Sequence, residues 1–350
     1  MTLKELALEI GCSRATLDRV INNREGVSEE RRKEILKQIE ERGYRPNVVG
    51  KMLAIQHRTV IGVILCADIT PVENPLFHEI YAGMLRAVGI LEKTGVSFMF
   101  RHIKSGKASE QIAVINELVV EHRVSGIAIS LEEKSEDLFE TIRVHMNNGI
   151  KFISYFNING AQNTEFQFPY EIGINQKREG NVAAGLMGKF LRGKGKVALL
   201  SGLEKNMVHQ IRIDSAKEHL EKAYPGIQVV EVGRNTYPED IAMAKVDRLL
   251  EEYPDLDGII VSCGSAGYIV EMVQKLQKKD QLSIIAFDFT RQMEKDLRLG
   301  YFDALIGVNL ERLGYTTIYA IYDYVFQNEI TDDTLYVALQ IKLKETVTPL

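Results

Sequence analysis

At 350 residues the chain exceeds one ordinary hydrophobic core, so a small domain joined to a two-lobed or two-domain body is expected. Its 45% hydrophobic and 26% charged content is that of a globular protein in water, without a run near ~18 apolar residues or a signal-peptide pattern, so a cytoplasmic location is expected. Residues 1–60 carry 12 Lys and Arg against 9 Asp and Glu, a net of +3, and the remainder carries −8, so a basic head able to meet phosphate sits on an acidic body.

Thr2 is placed to cap a first helix, with Glu5 three residues on completing a capping box and Leu3, Leu6, Ala7 and Ile10 at helical spacing. Gly11 suits the left-handed residue of a tight turn, and Ser13 caps a second helix running from Arg14 to Ile21. Leu17, Val20 and Ile21 share its inner face, which leaves Arg14, Ala15, Asp18 and Arg19 outside. After a loop at Asn22–Gly26, Ser28 caps a third helix with Ile35, Leu36 and Ile39 inward. Helix, short Gly-containing turn and second helix form the unit that enters the DNA major groove.

The run Thr2-Leu3-Lys4-Glu5-Leu6-Ala7, then Gly11 to Asn22, Val27-Ser28 and Gly43-Tyr44-Arg45-Pro46-Asn47 resembles the headpiece of the LacI/GalR family of bacterial transcriptional repressors. The resemblance implies that Arg14, Ala15 and Arg19 face base edges, where Arg suits guanine and Ala a thymine methyl. It also implies that Thr16 and Asn22 contact phosphates, with Asn47 included in the DNA-contacting set. Asp18 departs from the family's Ser and places an acid near the DNA backbone. Residues 48–53 would form a hinge helix only on operator, with Leu53 as a minor-groove wedge and Gly50 weakening that helix by about 1 kcal/mol. The domain plan is thus a headpiece at 1–46, a hinge at 47–58 and an effector-binding and dimerisation domain at 59–350.

In the body, apolar runs at 60–66, 96–100, 124–130, 151–156, 196–201, 228–232, 258–262 and 283–287 alternate with amphipathic stretches such as 77–92, 109–121, 177–192, 208–223 and 264–278. That alternation predicts parallel sheets covered by helices on both faces. Two similar rounds start near Ile61 and Lys196, so the fold expected is a small all-α helix-turn-helix headpiece plus an α/β body of two doubly wound lobes. The first lobe is drawn at about 59–160 and 292–323, the second at about 161–291 and 324–350. Ligands of such sheets sit at the carboxyl ends of the strands.

Asn74-Pro75-Leu76-Phe77 after the first strand, Asn206 to Ile213 after the fifth and Ala286-Phe287-Asp288 closing the eighth resemble the periplasmic-binding-protein type I fold, in its ribose-binder-like branch. The resemblance implies an effector site in the interlobe cleft, where Arg212 and Asp288 clamp hydroxyls, Asn74 and Asn157 add hydrogen bonds, and Phe77 and Phe287 pack a sugar ring. A salt bridge between Arg212 and Asp288 across the cleft is the competing structural role. His209 would line the cleft three residues before Arg212. Cys263 and Val308 stand where ribose-type binders carry Asn and Gln, which argues for a less polar ligand or a different pose.

Catalysis finds no pattern: the seven His make neither HExxH nor metal spacing, and Gly193-Lys194-Gly195-Lys196 leads into a strand, unlike a phosphate cradle. Cys12, Cys66 and Cys263 form no CxxC, so neither metal nor cofactor is expected. The reading is a transcriptional regulator, most simply a repressor, of a carbohydrate-related operon: a homodimer on a pseudo-palindromic double-stranded DNA operator, controlled by a small sugar-like effector and without a membrane partner. An inducer and a corepressor would use the same geometry. A stand-alone sugar-binding protein and a sugar-modifying enzyme remain as alternatives, and no leucine heptads suggest a tetramer.

Overall fold

The computed structural model describes residues 3–21, 26–42, 59–65, 69–70, 74–103, 105–131, 133, 135–156, 166–201, 207–233, 239–262, 269–271, 274, 281–327 and 334–347. Three helices make the headpiece: α1 (Leu3–Ile10), α2 (Arg14–Ile21) and α3 (Glu29–Glu41). Leu6, Ala7, Ile10, Leu17, Val20 and Ile35 form its buried core, with Cys12, Ile21, Val27 and Ile39 packed at the edge. Leu36, expected inside, is 45% exposed, because three short helices leave a core too narrow to take two successive residues of α3. Gly11 takes φ +69° at the turn. The Ser13 hydroxyl accepts the Thr16 amide at 3.0 Å, as N-caps do.

The first lobe contains β1 (Val60–Leu65), α4 (Pro75–Leu91), β2 (Ser97–His102), α5 (Ala108–Asn116), β3 (Gly126–Ile129), α6 (Glu136–Asn147), β4 (Lys151–Phe156) and β5 (Glu171–Gly173). The helix expected over 109–121 loosens at Glu117 into a π-helical turn ending at Glu121. The second lobe contains α7 (Gln176–Phe190), β6 (Gly195–Ser201), α8 (Met207–Ala223), β7 (Ile227–Gly233), α9 (Glu239–Glu252), β8 (Gly258–Ser262), β9 (Ser283–Phe287), α10 (Arg291–Arg298) and β10 (Ala304–Val308). The chain then returns through α11 (Leu310–Gln327) and β11 (Thr334–Tyr336) to the first lobe, and ends on β12 (Leu339–Lys342) in the second.

The described residues form two six-stranded sheets, in the orders β11-β5-β4-β3-β1-β2 and β12-β10-β9-β8-β6-β7. Their pairings are parallel except for β12 against β10. This corrects the lobe boundaries read from sequence. Residues 292–308 belong to the second lobe, because β10 pairs with β9, and β5 and β11 close the first. The chain crosses between lobes near 174–175, at Asn309 and at 337–338, three strands of hinge lying side by side where the Val337 amide bonds the Gly173 carbonyl.

Apolar cores fill both faces of each sheet, as their largely parallel pairing requires. In the first lobe α4 and α11 cross in backbone contact, and a Cβ at Gly83 would lie 1.9 Å from the Glu311 carbonyl oxygen. Only Gly lets the two helices meet there. Among the described residues no helix is long and apolar enough to cross a membrane, and no cluster of His, Cys, Asp and Glu could hold a metal ion.

Candidate functional site

On the headpiece, α2 places Ala15 and Arg19 on its exposed side, while Leu17 and Val20 turn into the core. Thr16 is half-buried, and its hydroxyl shares a 2.8 Å hydrogen bond with that of Ser13, which ties it to the helix start. The side chain of Arg14 and residues Asn22, Asn47 and Leu53 lie outside what is described. The sequence reading missed Arg32. It is 9% exposed, and its Nη1 donates to the carbonyls of Arg19 and Val20, both at 3.5 Å, so a buried cation caps the C-terminal end of α2. The signal was an Arg on the face of α3 that carries Ile35 and Ile39, since a cation there must find a partner.

In the body, candidate residues gather at the carboxyl ends of strands. Asn74 follows β1 and caps α4, its Oδ1 accepting the Phe77 amide at 3.3 Å. Phe77 is 5% exposed and packs on Phe156 with ring centroids 4.9 Å apart. Phe156 ends β4 at φ +74°, and Asp288 follows β9 at φ +71°. Backbone held in the left-handed region by residues other than Gly costs of order 1 kcal/mol and collects at functional sites. Here it turns a side chain aside at the same kind of position in each lobe.

The charged centre lies within the second lobe. Arg212, on α8, is 2% exposed; its terminal nitrogens donate to both oxygens of Asp288 at 3.1 and 2.9 Å. Its Nε donates at 2.7 Å to Oε2 of Glu179, a residue of α7 with no exposed surface. The Arg212–Asp288 bond therefore forms, but inside one lobe, because β9 and α8 belong to the same sheet and its cover. Phe287, weighed as a ring-packing plate, is instead wholly buried with the guanidinium 4.8 Å above it, so it supports Arg212 from below. Three of the five guanidinium N–H groups are used; one hydrogen remains on each terminal nitrogen.

Burial opposes the charge of Arg212, yet Asp288 and Glu179 together raise its pKa above the usual range. Burial pushes the Glu179 carboxyl up by more than Arg212 draws it down. His209, one turn before Arg212, is driven to about 4 by burial and then by Arg212, so it is neutral near pH 7. Beside it Gln210 donates to the Ser201 hydroxyl at 3.0 Å, and Ser262 donates to the His209 carbonyl at 3.2 Å. Val308, at the end of β10, is 5% exposed, packs against the first lobe's apolar core and offers no polar group. Asn157 and Cys263 lie outside the described residues.

The structure thus brings together Arg212, Asp288, His209 and Phe287, and separately Asn74 and Phe77, around the strand ends. Glu179 and Phe156 went unnoticed in the sequence. Gln176, Glu179, Gly180, Ala183, Ala184 and Met187 are all buried on α7, so helical spacing alone marked Glu179 as inward.

Residues 2–47 match the model of bacterial regulatory proteins of the lacI family, and residues 70–329 that of a periplasmic binding protein domain. The chain is 26% identical to the catabolite control protein A of Streptococcus mutans over 77% of its own length and 73% of that protein's. It is 23% identical to the HTH-type transcriptional regulator MalR of Streptococcus pneumoniae over 96% of both chains. In fold it matches a solute-binding protein of Burkholderia graminis in complex with D-arabinose, with TM-score 0.69, 23% identity and coverage of 83% of this chain and 98% of that one. GanP, a glucose-galactose binding protein of Geobacillus stearothermophilus, matches with TM-score 0.69, 15% identity and coverage of 84% and 100%.

Proposed function

Because this chain belongs to the periplasmic-binding-protein domain family and carries the headpiece of the LacI-family bacterial regulators, we propose that it couples a sugar-like effector in its cleft to operator occupancy. It is a DNA-binding transcriptional regulator. The relatives that span most of the chain are named as a catabolite control protein and a transcriptional regulator, so chemistry on the ligand has no part in this reading. One observation carries it: a headpiece that exposes Arg19 is joined to a body whose buried clamp of Arg212 and Asp288 stands at the strand ends.

On the DNA side, Arg14, Ala15 and Arg19 read bases, Thr16 and Asn22 hold the phosphate backbone, Asn47 adds a DNA contact, and Leu53 enters the minor groove of a pseudo-palindrome bound by a homodimer. On the effector side, Asp288 accepts ligand hydroxyls while Arg212 donates its remaining hydrogens, and Asn74, Phe77, Asn157, His209 and Cys263 line the rest. The ligand's relation to the lobes follows from the hinge: closing on it rotates one lobe against the other and changes the spacing of the paired headpieces.

Two measurements test this. A thermal-shift screen of the full chain over sugars, polyols and sugar phosphates should give a hit that Arg212→Ala abolishes, and a full shift retained in that variant refutes the cleft. Fluorescence anisotropy should show Arg19→Ala losing about 1–3 kcal/mol on the specific operator and much less on random DNA; equal losses on both refute base readout.

A further inference from the structure

Two carboxylates hold one guanidinium: Glu179 stands behind Arg212 and Asp288 in front of it. The group is enclosed, since the side chains of Glu179, Arg212 and Asp288 are 0%, 2% and 13% exposed. His209, the neighbouring titratable group on α8, adds no charge at neutral pH. Among the described residues around the triad, nothing balances the second negative charge. A surplus charge withdrawn from water is costly until a partner meets it. Glu179 Oε1 is also buried without a hydrogen-bond partner, so this carboxylate is not fully satisfied by the fold. Its position has a definite cause: a Cβ at Gly180 would lie 2.2 Å from the Arg212 carbonyl oxygen, so α7 and α8 touch there and the preceding residue falls behind the guanidinium.

We propose that Glu179 is a specificity-determining residue of the cleft, which gives the clamp a net negative charge and so selects an effector bearing a cationic amine, of the amino-sugar class, over its neutral counterpart. The proposal rests on the reading of the cleft as a sugar-like effector site. Asp288, which keeps lone pairs beyond those given to Arg212, is the group that meets the amine. Glu179 does not touch the ligand and acts through the field across Arg212. Burial favours a proton on Glu179 in the empty cleft, and an arriving cation favours its release.

Isothermal titration calorimetry on the full-length protein near pH 7 tests this, with D-glucosamine against D-glucose, D-galactosamine against D-galactose and D-mannosamine against D-mannose. The same titrations on Glu179→Gln follow, a change that keeps an oxygen for the Arg212 Nε–H. At least one amine should bind about tenfold or more tightly than its neutral partner, and the preference should fall to about twofold or less in the variant. A neutral sugar that binds as tightly as its amine leaves the cleft reading intact and overturns the role of Glu179. An amine preference that Glu179→Gln retains does the same. Absence of heat with every sugar overturns the amino-sugar assignment, and the cleft reading falls with it only if the wider thermal-shift screen also gives no hit. A neutral sugar that binds the unmodified protein as tightly as its amine overturns the proposal whether or not the variant folds.

Discussion

At the scale of single residues, the body concentrates its electrostatic risk in Arg212. A buried ion pair adds little net stability compared with apolar packing, but removing one member strands the others. Arg212→Leu leaves Glu179 and Asp288 facing each other without a cation, and should destabilise the protein by about 3–5 kcal/mol in urea unfolding. A loss below about 1 kcal/mol would mean that both carboxyls take up protons at little cost. His209 supplies a pH dependence of definite sign. Its folded-state pKa of about 4 lies below the ordinary 6.5, so as pH falls the unfolded chain binds the proton first. Stability is intact above about pH 6.5 and declines by about 3 kcal/mol on the way to pH 4. His209→Gln should flatten that limb of the stability profile, and an unchanged slope in the variant would assign the decline to other groups.

At the scale of elements, close helix contacts decide where charged residues end up. Gly83 of α4 and Gly314 of α11 each face the other helix's backbone, a hypothetical Cβ lying 1.9 Å from the carbonyl oxygens of Glu311 and Ile80 respectively. Gly83→Ala should therefore force the pair apart and cost about 3 kcal/mol, the upper part of the usual overpacking range, read from the thermal midpoint. A variant as stable as the parent would show that α11 slides without penalty. Long strands with continuous apolar runs, such as β1 and β4, were legible from sequence because both faces are covered. Three-residue β5 and β11 were not, since nothing local in Glu171-Ile172-Gly173 or Thr334-Leu335-Tyr336 favours a strand until β4 and β5 offer an edge to pair with. The headpiece helices were readable because caps at Ser13 and Ser28 and the turn at Gly11 are local devices.

At the scale of the whole molecule, the lobes meet through charge as well as through the hinge. Glu79 of α4 is partly buried, and burial pushes its carboxyl up while Lys342, Glu294 and Arg291 of the second lobe act on it. Lys342 is itself paired with Glu294 and lies 4.1 Å over the Phe289 ring, so movement between lobes changes the surroundings of all three groups. Such an arrangement suits a body with two discrete positions, which coupling between distant sites requires. Saturating effector should change operator affinity by about 1–3 kcal/mol, and operator should change effector affinity by the same factor. Anisotropy and calorimetry on the same preparation check that reciprocity, and effector binding without any change at the operator would uncouple the two ends.

The sequence by itself determined the headpiece, the alternation of strand and helix, and the placement of Arg212 and Asp288 after strands, because caps, turns and hydrophobic period are short-range properties of the chain. Tertiary structure alone decided which lobe β10 joins, that Phe287 lies beneath Arg212 and is closed to a ligand, and that Glu179 completes the clamp. These depend on partners 33 to 76 residues apart in sequence for the clamp itself, and no local pattern specifies such contacts until sheets and helices have packed.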